Sequence, residues 1–194
     1  MTKLRRGFKS EAEAIARETR VEMGLSADAP IDIWQLAREL EIPLVPLSAL
    51  RKDEPDAVKH FMEIEAGCFS AVTIADGPRR LIVYNDAHAP VRQASDLAHE
   101  IAHALLRHRP HPAFDGHGCR DWSGEEEAEA DWLGGALLIP ESAALLLARR
   151  GVSLAQAASE YGVSEQMARF RMNVTNAARR AALIRNRRRS RTSR

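Results

Sequence analysis

Ala98-His99-Glu100-Ile101-Ala102-His103-Ala104-Leu105-Leu106 holds the pattern H-E-x-x-H. On a helix, positions four apart lie one turn apart on the same face, so His99 and His103 aim two imidazoles at one point. Two nitrogens at that spacing suit Zn²⁺, which takes histidine nitrogen at about 2.0–2.1 Å in tetrahedral geometry. Glu100 is turned roughly 100° from His99, where it reaches a water held at the metal rather than the metal itself. Leu97, Ala98, Ile101, Ala102, Leu105 and Leu106 supply a core stripe beside these residues. An ordinary amphipathic helix explains that stripe but not three uncommon residues at motif spacing.

A catalytic zinc takes three protein ligands and keeps one position open, so a third donor is expected from another segment. Glu127 lies 24 residues beyond His103, in a stretch that reads as a helix capped by Ser123, with acids in its first turn. Asp131 follows one turn later, placed to accept the outer N–H of a ligand histidine and fix its tautomer. A solvated helix start accounts for Glu125 and Glu126. It leaves Asp131 stranded beside Trp132, Leu133 and Leu137, where a buried carboxylate needs a partner.

Glu129 is the competing donor. At about 100° per residue it points about 200° away from Glu127, so only one of the two faces the metal. The Glu127 face carries Ala130, Asp131 and Gly134, small enough at 130 and 134 for close approach to the zinc helix. The Glu129 face carries Trp132, Leu133 and Ala136, which read as core. The expected ligands are His99, His103 and Glu127, with Asp131 behind one histidine.

The run His99-Glu100-Ile101-Ala102-His103, followed by Glu127-Ala128-Glu129-Ala130-Asp131-Trp132-Leu133-Gly134-Gly135-Ala136-Leu137-Leu138-Ile139-Pro140, resembles the ImmA/IrrE-type metallopeptidases. Those share E-x-x-A-N-x-F-A-x-x-L-L-x-P after the zinc helix. The likeness extends to Pro30-Ile31-Asp32-Ile33, Phe69-Ser70, Asn85 and Tyr161-Gly162-Val163-Ser164, and covers roughly residues 10–176. Asp131 replaces the usual Asn, Leu133 the Phe and Gly134 the Ala, and none of these is an expected ligand. The resemblance implies a small gluzincin-like α+β fold, mostly helical, with a short antiparallel sheet packed on the zinc helix. It also implies hydrolysis of one specific protein, commonly a transcriptional repressor or an antitoxin-like regulator. Transfer of that target class is analogy, since fold and motif specify chemistry better than substrate.

In that chemistry Glu100 takes a proton from the attacking water and passes it to the leaving amine. A substrate segment adds as a strand along the Cys68–Tyr84 hairpin. Tyr84, His88 and Tyr161 are open candidates for stabilising the oxyanion.

The chain has 194 residues, 45% hydrophobic and 28% charged, in keeping with one soluble, well-buried core. Cys68 and Cys119 form no framework, and the charged N-terminal stretch lacks the apolar run of a signal peptide, so a cytoplasmic protein is expected. Apolar stretches are too short to span a bilayer. The formal net charge of +1 is uneven: residues 178–194 hold eight arginines and no acid, which leaves −7 on the rest. That basic tail reads as disordered, beyond a single domain over residues 1–177.

Helices are expected over Ser10–Met23, from Asp32 through Leu40, over Pro90–Arg107, from Ser123 to near Pro140, and over Glu141–Arg149. Ile42–Leu47, with two prolines, reads as an edge strand or loop, Arg51–Lys59 as a loop, and Cys68–Ile74 and Arg80–Tyr84 as a hairpin. Phe61–Glu65 is a candidate third strand. His108, His111, His117 and Cys119 have no recognised ligand spacing and read as a surface loop beside the site. Residues 153–173 have the outline of a helix-turn-helix, so the rival reading is a DNA-binding regulator. In it Gln166, Arg169, Arg171 and Asn173 face a groove, the basic tail holds phosphates, and the zinc site is structural or vestigial.

Overall fold

Phe8, Ala12 and Ala16 recur every four residues, and the computed structural model buries all three along one face of α1 (Phe8–Glu22). The structure describes residues 4–77, 79–108 and 124–192. Helix α2 (Ile33–Glu39) begins where the Asp32 carboxylate accepts hydrogen bonds from the Trp34 and Gln35 amides at 2.9 and 3.1 Å, satisfying N–H groups that a helix start otherwise leaves bare.

Three strands follow: β1 (Leu44–Pro46), β2 (Ala71–Asp76) and β3 (Arg79–Tyr84), in the order β1-β3-β2. β2 and β3 form the expected hairpin, antiparallel with Thr73 opposite Ile82, and Gly77 enters the turn at φ +58. β1 pairs parallel with β3, so the sheet is mixed rather than wholly antiparallel. Ala71 and Ile82 face the helical core. Val83 faces away, into a second cluster with Leu47 and Val58.

That second cluster corrects two expectations. Arg51–Lys59 is not a plain loop: a 3₁₀ turn (Leu47–Lys52) and α3 (Pro55–Lys59) occupy it. Phe61–Glu65 is no strand, because the chain winds through a π-helical turn (His60–Ile64) and sets Phe61 and Met62 against Val83 and Val58.

Pro90 takes the first position of α4 (Pro90–Leu105), where its missing N–H costs no hydrogen bond. α4 packs closely on α5 (Gly124–Leu138). A Cβ on Gly134 would stand 3.2 Å from the Ala98 carbonyl and the His99 nitrogen, so only glycine lets the two backbones meet there. Ser123, expected to cap α5, lies outside the described residues.

Two fully buried arginines fasten the far end of α5. Arg20 of α1 donates to Leu137 O at 2.6 Å, Ala29 O at 2.9 Å and Ala16 O at 3.0 Å. The last carbonyls of a helix lack partners within it, and a cation there also suits the helix dipole. Burial lowers the Arg20 guanidinium to about 10.

α6 (Glu141–Arg150), α7 (Leu154–Tyr161) and α8 (Glu165–Val174) complete the core. Ser153 and Gln156 close a capping box on α7, and Ser164 caps α8. Arg171 of α8 donates to Ile139 O at 2.8 Å and pairs with Glu13. The basic tail, expected to be disordered, is helical as α9 (Ala177–Thr192). Arginine is a good helix former, and Ala177 and Ala181, one turn apart, are buried where α9 meets α6 and α8. Among the described residues no single helix is long and apolar enough to cross a membrane.

Candidate metal centre

Spacing alone carries His99 and His103 onto one side of α4, and the crossing of α5 brings Glu127 to them. His99 Nε2 and His103 Nε2 are 3.0 Å apart. Glu127 Oε2 lies 3.2 Å from the first and Oε1 3.1 Å from the second. One ligand atom from each residue falls within 4.8 Å of the others. Bonds of about 2.0–2.1 Å at tetrahedral angles separate neighbouring ligands by about 3.3 Å. The three donors therefore stand close to the corners of one tetrahedral face, and two imidazoles with a carboxylate form a donor set that zinc accepts.

The charges are matched as well as the distances. Burial disfavours a charged His99, yet the hydrogen bonds it donates to Asp131 and Glu127 outweigh it and raise the imidazole to about 10. Burial also acts against an ionised Glu127, and hydrogen bonds from His103 and His99 overcome it, lowering the carboxyl to about 2. Asp131 Oδ1 lies 2.9 Å from His99 Nδ1, the nitrogen turned away from the other donors. The expectation that Asp131 is buried is corrected: its side chain is 75% exposed. It reaches the histidine from the rim, because α5 turns residue 131 outward while Ala130 and Gly134 face α4.

Glu129 points elsewhere, as the helical offset requires. Its Oε2 lies 3.5 Å from His108 Nε2 and its Oε1 2.8 Å from Arg5 Nε. His108 is buried, not part of an exposed loop, and its Nδ1 lies 2.9 Å from His103 Nδ1. Burial, then the neighbouring His103, lowers the His108 imidazole below its ordinary value. Sequence reasoning missed this contact. His111, His117 and Cys119 lie outside the described residues.

Glu100, buried at 7% exposure, accepts a hydrogen bond from the Thr73 hydroxyl at 2.5 Å. Thr73 is a second residue missed from sequence; its only signal was an inward position on an alternating strand. Glu100 opens into a cleft of about 370 Å³ shared with His99, Glu127 and Asp131, with Ser70 and Ala71 of the β2 approach in its wall. Tyr84, His88 and Tyr161 are absent from that wall. Tyr161 donates to Asp28 O at 2.6 Å, and His88 contacts Ala66 O at 2.7 Å.

Of the residues offered for DNA contact, Gln166, Arg169 and Asn173 are exposed, whereas Arg171 is fully buried and committed to Ile139 O and Glu13.

The model of the Peptidase_M78 family, described as an IrrE N-terminal-like domain, matches residues 57–173. No curated protein matches the chain.

Proposed function

The chain belongs to the Peptidase_M78 family, and from that premise we propose that it is a zinc-dependent endopeptidase that cleaves one protein partner, a transcriptional repressor or antitoxin-like regulator. The observation that carries this reading is the convergence of His99 Nε2, His103 Nε2 and the Glu127 carboxylate at zinc-ligand spacing, with His99 and Glu127 lining one cleft together with Glu100.

His99, His103 and Glu127 would hold the ion, and Asp131 would hold the outer nitrogen of His99. Zinc, when bound, supplies Lewis acidity that acidifies water and polarises a carbonyl. Glu100 takes the proton of the attacking water and delivers it to the departing amine. Thr73 aims that carboxylate by binding one of its oxygens, leaving the other for the proton. β2 supports a peptide substrate because it is an edge strand on the cleft side. Its Ile74 is 46% exposed, so an extended segment can pair with β2 and lie across Glu100. A sequence with only two cysteines, neither in a C-x-x-C pair, favours a cytoplasmic location.

The second reading, a DNA-binding regulator, keeps the exposed Gln166, Arg169 and Asn173 of α8 but loses Arg171. One experiment separates the two. Wild type and Glu100→Gln are each incubated with the products of the adjacent genes, with and without 1,10-phenanthroline, and new N-termini are sought by mass spectrometry. Peptidase action requires a new terminus in one regulator, absent with Glu100→Gln and with chelator. No cleavage, together with a sequence-selective, salt-dependent DNA shift, would replace it with the second reading.

A further inference from the structure

α4 ends in an unusual way. Arg107 takes φ +56, a left-handed conformation that is strained for a non-glycine residue. It sits where glycine ordinarily closes a helix: the Arg107 amide donates to Ala104 O at 3.1 Å and the His108 amide to His103 O at 3.0 Å. This pair of reversed hydrogen bonds is the Schellman closure. It folds residue 108 back beneath residue 103, so the two rings meet edge to face with centroids 5.0 Å apart. A spacing of five residues brings no side chains together on a regular helix. Here the reversal does.

The proton positions follow from the metal reading of His99, His103 and Glu127, on which this inference rests. An imidazole that offers Nε2 to a metal carries its proton on Nδ1. His103 Nδ1 lies 2.9 Å from His108 Nδ1, and two nitrogens at that distance share one proton, so within this pair His103 donates and His108 accepts. The proton of His108 then sits on Nε2, which faces Glu129 Oε2 at 3.5 Å. Arg5 holds the other oxygen of Glu129 at 2.8 Å.

We propose that His108 is a positioning residue that fixes the tautomer and ring plane of His103 and thereby sets the metal affinity of the site, with Glu129 and Arg5 as its anchor. His99 achieves the same with one carboxylate, Asp131, at the exposed rim. On the buried side an imidazole is interposed, so the carboxylate acts at one remove. This gives Glu129 a role that its position away from the metal would otherwise deny it.

The test is zinc affinity of the full chain, read by competition with a chromophoric chelator, with zinc alone as the probe. His108→Phe fills the space but accepts no hydrogen bond, and should weaken zinc about 10- to 100-fold, the usual effect of losing the partner of a ligand histidine. His108→Asn leaves the space partly empty but sets an amide oxygen where Nδ1 stood, and should recover affinity to within about threefold of wild type. A role in packing alone predicts the opposite order, Phe better than Asn. That order, or a Phe variant within about threefold of wild type, overturns the proposal. Should His108→Phe fail to fold, Glu129→Gln takes its place, with a loss of roughly tenfold expected and no loss overturning the relay. A wild-type chain that takes up no zinc would overturn the metal centre itself, which is a different result from equal binding by wild type and variant.

Discussion

Thr73 on β2 donates its hydroxyl proton to Glu100 Oε2 on α4, a contact between the middle of an edge strand and the middle of the buried helix. It ties the surface along which a peptide is expected to lie to the carboxylate expected to move its protons.

The first prediction concerns that tie. Glu100→Gln should keep zinc and fold while turnover falls by about 10²-fold or more, the size of a lost general base. Thr73→Val should leave Glu100 in place but unaimed, lowering kcat by about tenfold with little change in KM. Measured kcat and KM on the cleaved regulator check both, and a Glu100→Gln enzyme at near wild-type rate gives the proton transfer to another residue.

Glu127 and Glu129 supply the second. They stand two residues apart on α5 and serve different histidines. Glu127→Ala removes a ligand, so metal content after dialysis should fall below about a tenth of wild type. Glu129→Ala should retain most of its zinc under the same dialysis, because its effect passes through His108. Elemental analysis of the two variants decides, and the reverse order would exchange the two acids.

The parts legible from sequence are those with local causes. His99 and His103 share a face by helical period, Glu127 and Glu129 separate by the same period, and Asp32, Ser153 and Ser164 cap their helices as residue types of that kind do. What was missed depends on distant partners. β2 begins at Ala71 rather than Cys68, because Phe69 is spent in the second cluster before pairing starts. The Phe61 turn hides a helical pattern, Val58 with Phe61 and Met62, inside a run short enough to pass for a strand. His108 carried no signal, since the reversal that places it uses arginine where glycine is the usual mark. In α9 the arginine content masked Ala177 and Ala181, which pack one turn apart.

Removal of zinc gives the third prediction, in two parts. With the metal stripped, His99 is held protonated, its value raised to about 10 over the unfolded value of about 6.5. A raised value stabilises the fold fully below about pH 6.5 and loses that contribution as pH climbs through about 10. Glu127, lowered to about 2, contributes above its unfolded value of about 4.3 and loses that contribution as pH falls toward 2. Chelator-treated protein should therefore melt highest between about pH 4.3 and 6.5 and decline above. Zinc must displace the His99 proton, so its affinity should tighten with rising pH and its binding should release protons. Thermal melts across pH and calorimetry in buffers of different ionisation enthalpy measure the two. A zinc affinity flat from pH 6.5 to 8.5 would contradict the assignment of His99.

The last prediction moves from the ligands to the frame that holds them. Arg20 is fully buried in α1, yet its guanidinium donates to Leu137 O, Ala29 O and Ala16 O. Leu137 lies in the last turn of α5, the helix that carries Glu127 at its opposite end, so Arg20 fixes the helix along its axis. Arg20→Met keeps much of the apolar stem but leaves three carbonyls without that donor. Each orphaned buried group costs about 1–3 kcal/mol, and part of this returns because a buried cation no longer has to be desolvated. A net loss of roughly 2–4 kcal/mol is expected in urea unfolding. The consequence for function is distinct from that for stability. If α5 is located from this end, zinc affinity should weaken in Arg20→Met even well below its melting temperature. In Arg171→Met the bonds broken go to Ile139 O, beyond the helix end, and to Glu13 of α1, so stability should fall with less effect on zinc. Equal losses of zinc affinity in the two variants would show that the site responds to global stability rather than to the seating of α5.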